Sequence, residues 1–388
     1  MSKRLRDVSI VGIGQVAVQK RAQEGLRELA ARVVRLAMAD AGVDRVDALY
    51  ASNMLSDELQ SQKHLAPLFA DEAGLVGIEA VQVRAATASG AAALRVAYLA
   101  VASGEVDLAV TVGAEKMSDG VPTPALAKAL DARSEVPDGM TLISQNARLM
   151  HLYFQRYRPP EDALVNFPVN AHRNARHNPY ALFKDKPITR EDVLNSRVIN
   201  PPIRLLDCSP VCDGAAAVIL APREQAREYT EHPVDVLASS VATDRFRLDD
   251  RPDPLDLQAA RRSAQLAFQR AGLDRGQVSF FEVHDAFSIM ACLLLEAAGF
   301  AEPGEGWRLA AENQIALDGA IPITTMGGLK ARGHPIGGTA LYQVCEIVLQ
   351  LTGRAGKNQL PDPRVAMMQS IGGAASTALT HLFRAYEG

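Results

Sequence analysis

A single histidine stands among glycines in the segment GGLKARGHPIGGT, residues 327–339. The dipeptide His334-Pro335 leads directly into a helix-like apolar run, and packing alone explains such a junction poorly. A second histidine, His284, follows the predicted strand VSFFEV and so lies at a strand's carboxyl end, where α/β proteins form their sites. Imidazoles act near neutral pH as acids, bases and hydrogen-bond donors. We therefore predict that His334 and His284 are catalytic.

The bulk composition is that of a globular enzyme. The chain has 388 residues and a formal net charge of −4, which disfavours a nucleic-acid partner. We expect no membrane span, because charges and turn residues interrupt every long apolar window, and no secretory leader, because the N-terminus lacks an apolar core. A reduced, cytoplasmic protein is expected. We interpret its four cysteines, which show no C-x-x-C spacing, as small buried side chains: Cys208, Cys212, Cys292 and Cys345.

Predicted strands alternate with amphipathic helices along the chain. DVSIVGIG is followed by a helix and then by VDALYAS, and the same order returns with VDVLASSVA, a helix and VSFFEVH. This alternation predicts βαβ units and a mainly parallel sheet. The segments LAMADAGVDR (36–45) and LAFQRAGLDR (266–275) agree at six of ten positions. The sequence therefore predicts a duplicated α/β domain.

The stretch between the two halves has a different composition. It is rich in proline, asparagine and charge, and we predict a partly helical insertion of the kind that covers a site. Its histidines, His172 and His177, are expected in surface loops, with a place in the acyl pocket as the alternative. The predicted division is an N-terminal half of residues 1–118 plus 203–230, an inserted loop domain of 119–202 and a C-terminal half of 231–388.

Five motifs, found in order along the chain, together resemble the thiolase superfamily. They are VRAATASGAAALR, LLDCSPVCDGAAAVIL, VHDAFSI, GGLKARGHPIGGT and QSIGGAAST. The third is similar to the His-Asp-x-Phe motif of sterol-carrier-protein-type thiolases, and the region before the second resembles the archaeal and actinobacterial branch. The resemblance implies two βαβαβαββ halves in a five-layered αβαβα arrangement with an inserted loop domain.

The chain departs from the family where thiolases carry their cysteines. Thr87 stands at the position of the acyl-carrying cysteine, and Ser370 or Ala286 stands where the second, proton-transferring cysteine would be. A thiol beside a histidine is partly ionised near neutral pH, whereas an aliphatic hydroxyl needs a dedicated base. We therefore expect that the protein works without a covalent acyl-cysteine. Within the superfamily, the chain therefore resembles the aldolases that cleave steroid side chains.

The resemblance also assigns roles to the remaining site residues. His334 and His284 would face the thioester oxygen, and the backbone N–H groups of Thr87 and Gly372 would form a second oxyanion hole. Such donors stabilise an enolate by about 3 kcal/mol each without any covalent bond. Asp285 is expected to orient or cap rather than to titrate.

These roles lead to retro-aldol cleavage of a β-hydroxyacyl-CoA as the favoured reaction, on a steroid or other branched side chain. Tyr342 is our candidate acid or base, with core packing as the alternative. Two other functions remain open: acyl transfer, either of the acetyl-CoA acetyltransferase type or through Thr87, and a non-catalytic scaffold that binds acyl-CoA or lipid.

The resemblance implies CoA as part of the substrate thioester, with no other cofactor and no metal in this chain. It further implies a homodimer and a possible small partner protein that combines an OB-like fold with a zinc ribbon.

Overall fold

A computed structural model describes residues 5–387 of the chain. Its strands are Val8–Gln15 (β1), Ala48–Ser52 (β2), Glu79–Val83 (β3), Ala109–Lys116 (β4), Val198–Asn200 (β5), Ile203–Arg204 (β6), Asp213–Pro222 (β7), Val234–Thr243 (β8), Phe280–Glu282 (β9), Val365–Gly372 (β10) and Thr377–Ala385 (β11).

The α-helices are Leu26–Asp40 (α1), Ser56–Leu59 (α2), Leu65–Ala73 (α3), Ser89–Ser103 (α4), Pro122–Ala127 (α5), Leu142–Tyr157 (α6), Asn166–Ala175 (α7), Arg190–Asn195 (α8), Ala226–Tyr229 (α9), Gln258–Ala271 (α10), Ser288–Ala298 (α11), Gly306–Ala311 (α12) and Ile336–Leu351 (α13). A π-helical turn, Gly328–Arg332, precedes α13. Single 3₁₀ turns occupy Met117–Asp119, Leu205–Asp207, Arg223–Gln225, Leu248–Asp250, Arg275–Gln277 and Gly356–Asn358.

The strands of both halves form one nine-stranded mixed sheet in the order β3-β2-β4-β7-β1-β8-β11-β10-β9. The halves join where β1 pairs antiparallel with β8. The order on one side of this junction mirrors the order on the other, with β7 and β11 both antiparallel to their neighbours. The duplicated architecture predicted from the repeated segments is therefore present, and those segments cover the C-terminal ends of α1 and α10.

The second half departs from the expected βαβαβαββ order at one strand. The first half runs β1-α1-β2-α3-β3-α4-β4-β7 in full. In the second half the counterpart of β3 is a single bridge, in which Ile323 lies parallel to Phe281. Pro322, next to this bridge, has no N–H to donate, so the ladder does not extend there.

Two helices, α4 and α13, form the central layer. They pack against each other, and each contacts strands of both halves: α4 contacts β2, β4, β8 and β11, and α13 contacts β4, β7 and β10. Helices α1 and α10 cover the outer faces, which gives the five-layered αβαβα order. By composition the segment Ala86–Ser103 is apolar enough to cross a membrane, but 56% of it is buried in the protein. Its apolar character is thus that of a core helix.

The predicted insertion is mostly helical. It contributes α5 to α8 before the short strand pair β5–β6 returns the chain to β7. Helix α6 begins at a capping box, in which the Thr141 hydroxyl accepts from the Ser144 backbone N–H. The proposed domain limits at residues 1 and 388 lie outside the described residues.

Candidate active site

The fold holds His334 between the π-helical turn and the start of α13. Gly333, just before it, has φ of +118°, and a Cβ there would lie 2.6 Å from Val18 Cγ1. Only glycine fits such a backbone, which explains the residue before the histidine. The backbone N–H of His334 donates to Cys212 Sγ at 3.2 Å. The loop is thereby tied to the start of β7.

His284 lies just after β9, as the sequence predicts. The next residue, Asp285, is buried, and its carboxylate accepts hydrogen bonds from the backbone N–H groups of Leu329 at 2.7 Å and Lys330 at 3.4 Å. These N–H groups belong to the π-helical turn before His334. Asp285 therefore joins the two histidine-bearing loops, which agrees with an orienting role. Burial raises the pKa of Asp285.

The two imidazoles meet edge to face. Their ring centroids are 5.1 Å apart, and their planes are perpendicular. Nδ1 of His334 bonds the Thr339 hydroxyl at 2.7 Å, and Nδ1 of His284 lies 3.4 Å from the Ser370 hydroxyl. Burial, reinforced by nearby Arg332, lowers the pKa of His284 to about 3 and that of His334 well below its usual value. Both rings are thus neutral at pH 7, and each keeps Nε2 for a ligand.

Both histidines line a cavity of about 140 Å³. Most of its wall is apolar and comes from the insertion, from the segment after His284 and from the loop after β4: Met117, Leu126, Leu142, Ile143, Phe287 and Met290. Side chains of the insertion thus form part of this wall. A largely apolar wall with few polar groups is typical of a small-molecule site.

Thr87 also lines the cavity, close to the end of β10. Its hydroxyl donates to the carbonyl oxygen of Ile371 at 2.6 Å. Ala86, directly before it, has φ of +49°, a strained value that recurs at functional sites. A Cβ at Gly372 would lie 2.7 Å from the Ala85 carbonyl oxygen, so glycine permits the close approach of β10 to this loop. The structure therefore brings Thr87 and Gly372 together beside the histidines.

Tyr342 is not brought to this cavity. Its hydroxyl donates to the Val16 carbonyl at 2.7 Å and accepts from the Ala215 N–H at 3.0 Å. The Arg332 guanidinium lies 4.8 Å from its ring centroid, and burial raises the pKa of the phenol. This hydroxyl is fully used in joining α13 to β1 and β7. We correct our assignment accordingly: Tyr342 is a packing residue, which was the alternative interpretation.

Cys208 is not the fully buried side chain that we predict from the sequence. Three cysteines are buried, but Cys208 is partly exposed and lines the cavity. Burial raises the pKa of its thiol to about 11, an effect that Lys330 partly offsets. Cys212 is fully buried, and burial raises its pKa to about 12. The motif LLDCSPVCDG contains both Cys208 and Cys212, and nothing in its local pattern distinguishes the cavity thiol from the buried one.

Asn146, on α6, is a site residue that the sequence did not indicate. Its side-chain N–H donates to the Leu142 carbonyl at 2.9 Å, while Oδ1 is buried without a hydrogen-bond partner. The residue is 3% exposed and lines the cavity. A buried acceptor without a partner is costly, and a ligand donor that reached Oδ1 would remove that cost.

Buried charges support the loop before His334. Arg332 forms a fully buried ion pair with Glu346 on α13, with Nε and Oε1 3.0 Å apart. Lys330 Nζ donates to the Asp207 carbonyl. These contacts fix the loop to α13 and to the segment that carries Cys208.

The histidines of the insertion lie elsewhere. His172 is buried, stacked on Phe183 with centroids 5.5 Å apart, and His177 is exposed. The cavity wall includes neither, so the surface expectation is wrong for His172 and the pocket alternative is unsupported for both. Within residues 5–387, no group of three or more His, Cys, Asp or Glu side chains could hold a metal ion.

Known proteins are similar to this chain over nearly its whole length. The acetyl-CoA acetyltransferase of Methanothermobacter thermautotrophicus is 42% identical over 382 residues, which cover 98% of this chain and 100% of that protein. Sterol carrier protein 2 of Homo sapiens is 26% identical over 396 residues, which cover 97% of this chain and 72% of that protein.

A solved structure described as "Ltp2-ChsH2(DUF35) aldolase" superposes with a TM-score of 0.86, covers 99% of both chains and is 23% identical, which shows a shared fold. Family models for the thiolase N-terminal domain and for a thiolase C-terminal domain-like region match residues 8–224 and 240–385. The chain therefore belongs to the thiolase family, has the thiolase fold predicted from its motifs, and is an enzyme of that family.

Proposed function

We propose that the enzyme cleaves the Cα–Cβ bond of a β-hydroxyacyl-CoA by a retro-aldol reaction without a covalent acyl-enzyme. The β-hydroxyl proton passes to water, the Cα–Cβ bond breaks, and the CoA-bound fragment leaves as an enolate that is then protonated at its α-carbon. His284 and His334 donate hydrogen bonds from Nε2 to the enolate oxygen. The products are a ketone or aldehyde and a shortened CoA thioester.

The perpendicular pair of neutral imidazoles carries this proposal. With both pKa values lowered by burial, each ring holds one proton, and a hydroxyl bonded at Nδ1 allows that proton to reside on Nε2. Two fixed N–H donors in an apolar cavity favour an oxyanion that develops during the reaction. Their dipoles are in place before the charge forms, so little reorganisation is needed.

The surroundings of Thr87 argue against a covalent acyl intermediate. Its hydroxyl donates to a backbone carbonyl, and a carbonyl cannot take up the proton that a nucleophilic hydroxyl must lose. The cavity thiol, Cys208, has a pKa raised to about 11, so roughly one molecule in ten thousand holds a thiolate at pH 7. Stabilising an enolate requires neither group as nucleophile.

Asn146 supports a hydroxylated substrate. Its Oδ1, which has no partner within the described chain, can accept a hydrogen bond from the β-hydroxyl group. The same apolar wall suits a branched or cyclic hydrocarbon chain.

Acyl transfer is the second candidate, and the relatives favour it. The relative that is 42% identical over 98% of this chain is named acetyl-CoA acetyltransferase. In that reaction the same two histidines would stabilise the enolate of acetyl-CoA as it attacks a second thioester. The non-catalytic scaffold is disfavoured because both imidazoles lie together at one cavity, with ring centroids 5.1 Å apart.

The test uses 3-hydroxy-3-methylbutyryl-CoA, whose cleavage gives acetone and acetyl-CoA, and a homologue whose hydroxyl carbon lies in a ring. We expect ketone and shortened thioester in equal amounts from the purified enzyme. Conversion of acetoacetyl-CoA and CoA to acetyl-CoA, with no cleavage of either hydroxyacyl thioester, would reject the retro-aldol proposal in favour of acyl transfer.

We further propose a partner protein and a homodimer. The similar structure, "Ltp2-ChsH2(DUF35) aldolase", contains a second component, which supports a small partner protein. The OB-like fold and zinc ribbon of that partner are what the family resemblance implies. The sheet ends at β3, where Val81 is 46% exposed, and such an edge suits pairing with a second copy. Affinity purification of the tagged chain from its native cells, followed by mass spectrometry and light scattering, tests both ideas.

A further inference from the structure

Cys208 lies beside the motif from which a family thiol is missing. Its backbone forms an antiparallel bridge with Phe287, and the Ser209 N–H donates to the Ala286 carbonyl at 2.8 Å. Ala286 is one of the two positions at which the family resemblance leads us to expect a proton-transferring cysteine. Cys208, Ala286 and His284 all line the same cavity.

We propose that Cys208 is the proton donor of this site, and that its Sγ–H protonates the α-carbon of the thioester enolate. This inference rests on the proposed function, since it names the proton donor for the same enolate. The chain replaces a thiol on the histidine segment by one on the neighbouring segment, which pairs with it and lines the same cavity.

Three features of the surroundings suit this role. The Sγ of Cys208 makes one weak contact, to the Arg204 carbonyl at 3.5 Å, so the thiol is free to turn. The buried Lys330 donates to the carbonyl of the adjacent Asp207, which places a cation near the thiolate that proton transfer leaves behind. Asn146, whose buried Oδ1 has no hydrogen-bond partner, is a polar residue in the same wall.

The thiol is poised as an acid rather than as a nucleophile. Its pKa, raised to about 11 by burial, keeps it protonated at neutral pH while leaving it far more acidic than the α-carbon of a thioester. The enolate carbon gains the Cys208 proton, the β-hydroxyl proton passes to solvent water during cleavage, and water then reprotonates the Cys208 thiolate. One proton is thus released and one is taken up in each turnover.

The test measures hydrogen exchange at the α-carbon of propionyl-CoA in D₂O by ¹H NMR. A thiol that protonates the enolate must also catalyse the reverse step, so we expect the wild-type enzyme to exchange this hydrogen. Cys208→Ala should slow exchange about 100-fold or more, the usual contribution of a positioned acid. The buried Cys345→Ala is the matched control and should exchange at the wild-type rate, because Cys345 is outside the cavity wall.

The outcomes separate this inference from the proposed function, because propionyl-CoA has no β-hydroxyl group. Exchange that depends on Cys208 in an enzyme that cleaves no hydroxyacyl thioester would support the thiol's role and reject the retro-aldol reaction. Unchanged exchange in a folded Cys208→Ala variant that still binds propionyl-CoA, or no exchange with the wild-type enzyme, would overturn the assignment of Cys208.

A labelling experiment checks the thiol without relying on catalysis. Iodoacetamide should modify Cys208 before the three buried cysteines, at a rate that rises about tenfold per pH unit between pH 7 and 10, because the thiolate reacts. Saturating propionyl-CoA should slow this modification at least tenfold. Equal labelling with and without the thioester would place Cys208 outside the substrate site and contradict the proposal.

Discussion

The Thr87 hydroxyl donates to the Ile371 carbonyl at 2.6 Å, and this contact gives the side chain at the family's nucleophile position a structural partner. The loop after β3 is thereby joined to the end of β10, and Thr87 and Ile371 both line the cavity. A hydroxyl engaged in this way holds the loop's shape.

Removing the Thr87 hydroxyl distinguishes retro-aldol cleavage from acyl transfer through Thr87. Thr87→Val should lower the free energy of unfolding by about 1–2 kcal/mol, because the Ile371 carbonyl loses its donor. Retro-aldol activity should fall less than tenfold, since the backbone N–H at position 87 is retained. Thr87→Ser keeps the hydroxyl and serves as the control. Loss of all activity in Thr87→Val but not in Thr87→Ser would indicate an acyl-threonine intermediate.

The histidine pair should dominate catalysis. We expect His334→Ala and His284→Ala each to reduce kcat by about 10² to 10³-fold, the usual effect of removing one oxyanion donor. Calorimetric titration with propionyl-CoA should show binding within about threefold of the wild type, because the donors act mainly on the developing charge. Equal losses in binding and kcat/KM would show instead that the histidines hold the ground-state thioester.

Asn146 should determine the preference for a hydroxyl group. Asn146→Leu keeps the size of the side chain and removes the free acceptor, so the Kd for a β-hydroxyacyl-CoA should rise about tenfold. The Kd for the same thioester without its hydroxyl should stay unchanged. A parallel loss for both ligands would mean that Asn146 shapes the cavity and does not recognise the hydroxyl.

The buried imidazoles predict a direction for the dependence of stability on pH. The folded-state pKa of His284 is about 3, below the usual value near 6.5, so the unfolded chain binds a proton that the folded protein excludes. The free energy of unfolding should therefore fall as pH drops from about 6.5 towards 3, by about 1.4 kcal/mol per pH unit for this group.

Urea denaturation between pH 7 and 5 measures this slope. His284→Asn should reduce this slope by the contribution of one proton. An identical slope in His284→Asn and the wild type would mean that His284 binds a proton equally well in the folded and the unfolded chain.

The ion pair between Arg332 and Glu346 should be important for folding. Both side chains are at most 1% exposed, so Glu346→Gln leaves a buried guanidinium unpaired and should cost about 3–5 kcal/mol. The double variant Arg332→Met with Glu346→Leu removes both charges and should recover most of this loss. Denaturant unfolding of the single and double variants measures the difference, and additive losses would contradict a direct pairing.

The sequence by itself determined the fold class, the duplication and the positions of His334, His284 and Asp285. These features depend on local patterns: alternating strands and helices, a repeated helix end, and glycines required by a left-handed backbone before His334. Such patterns depend on residues that are close together in the sequence and not on contacts between distant segments.

Only the tertiary structure decided which polar groups meet at the site. Tyr342 lies eight residues after His334. Its position on α13 nevertheless directs its hydroxyl towards the end of β1 and towards β7, away from the cavity. Cys208 and Asn146 come from segments far apart in the chain and reach the same cavity through backbone pairing and through the insertion. Packing between distant segments determines these encounters, and no local periodicity in the sequence encodes them.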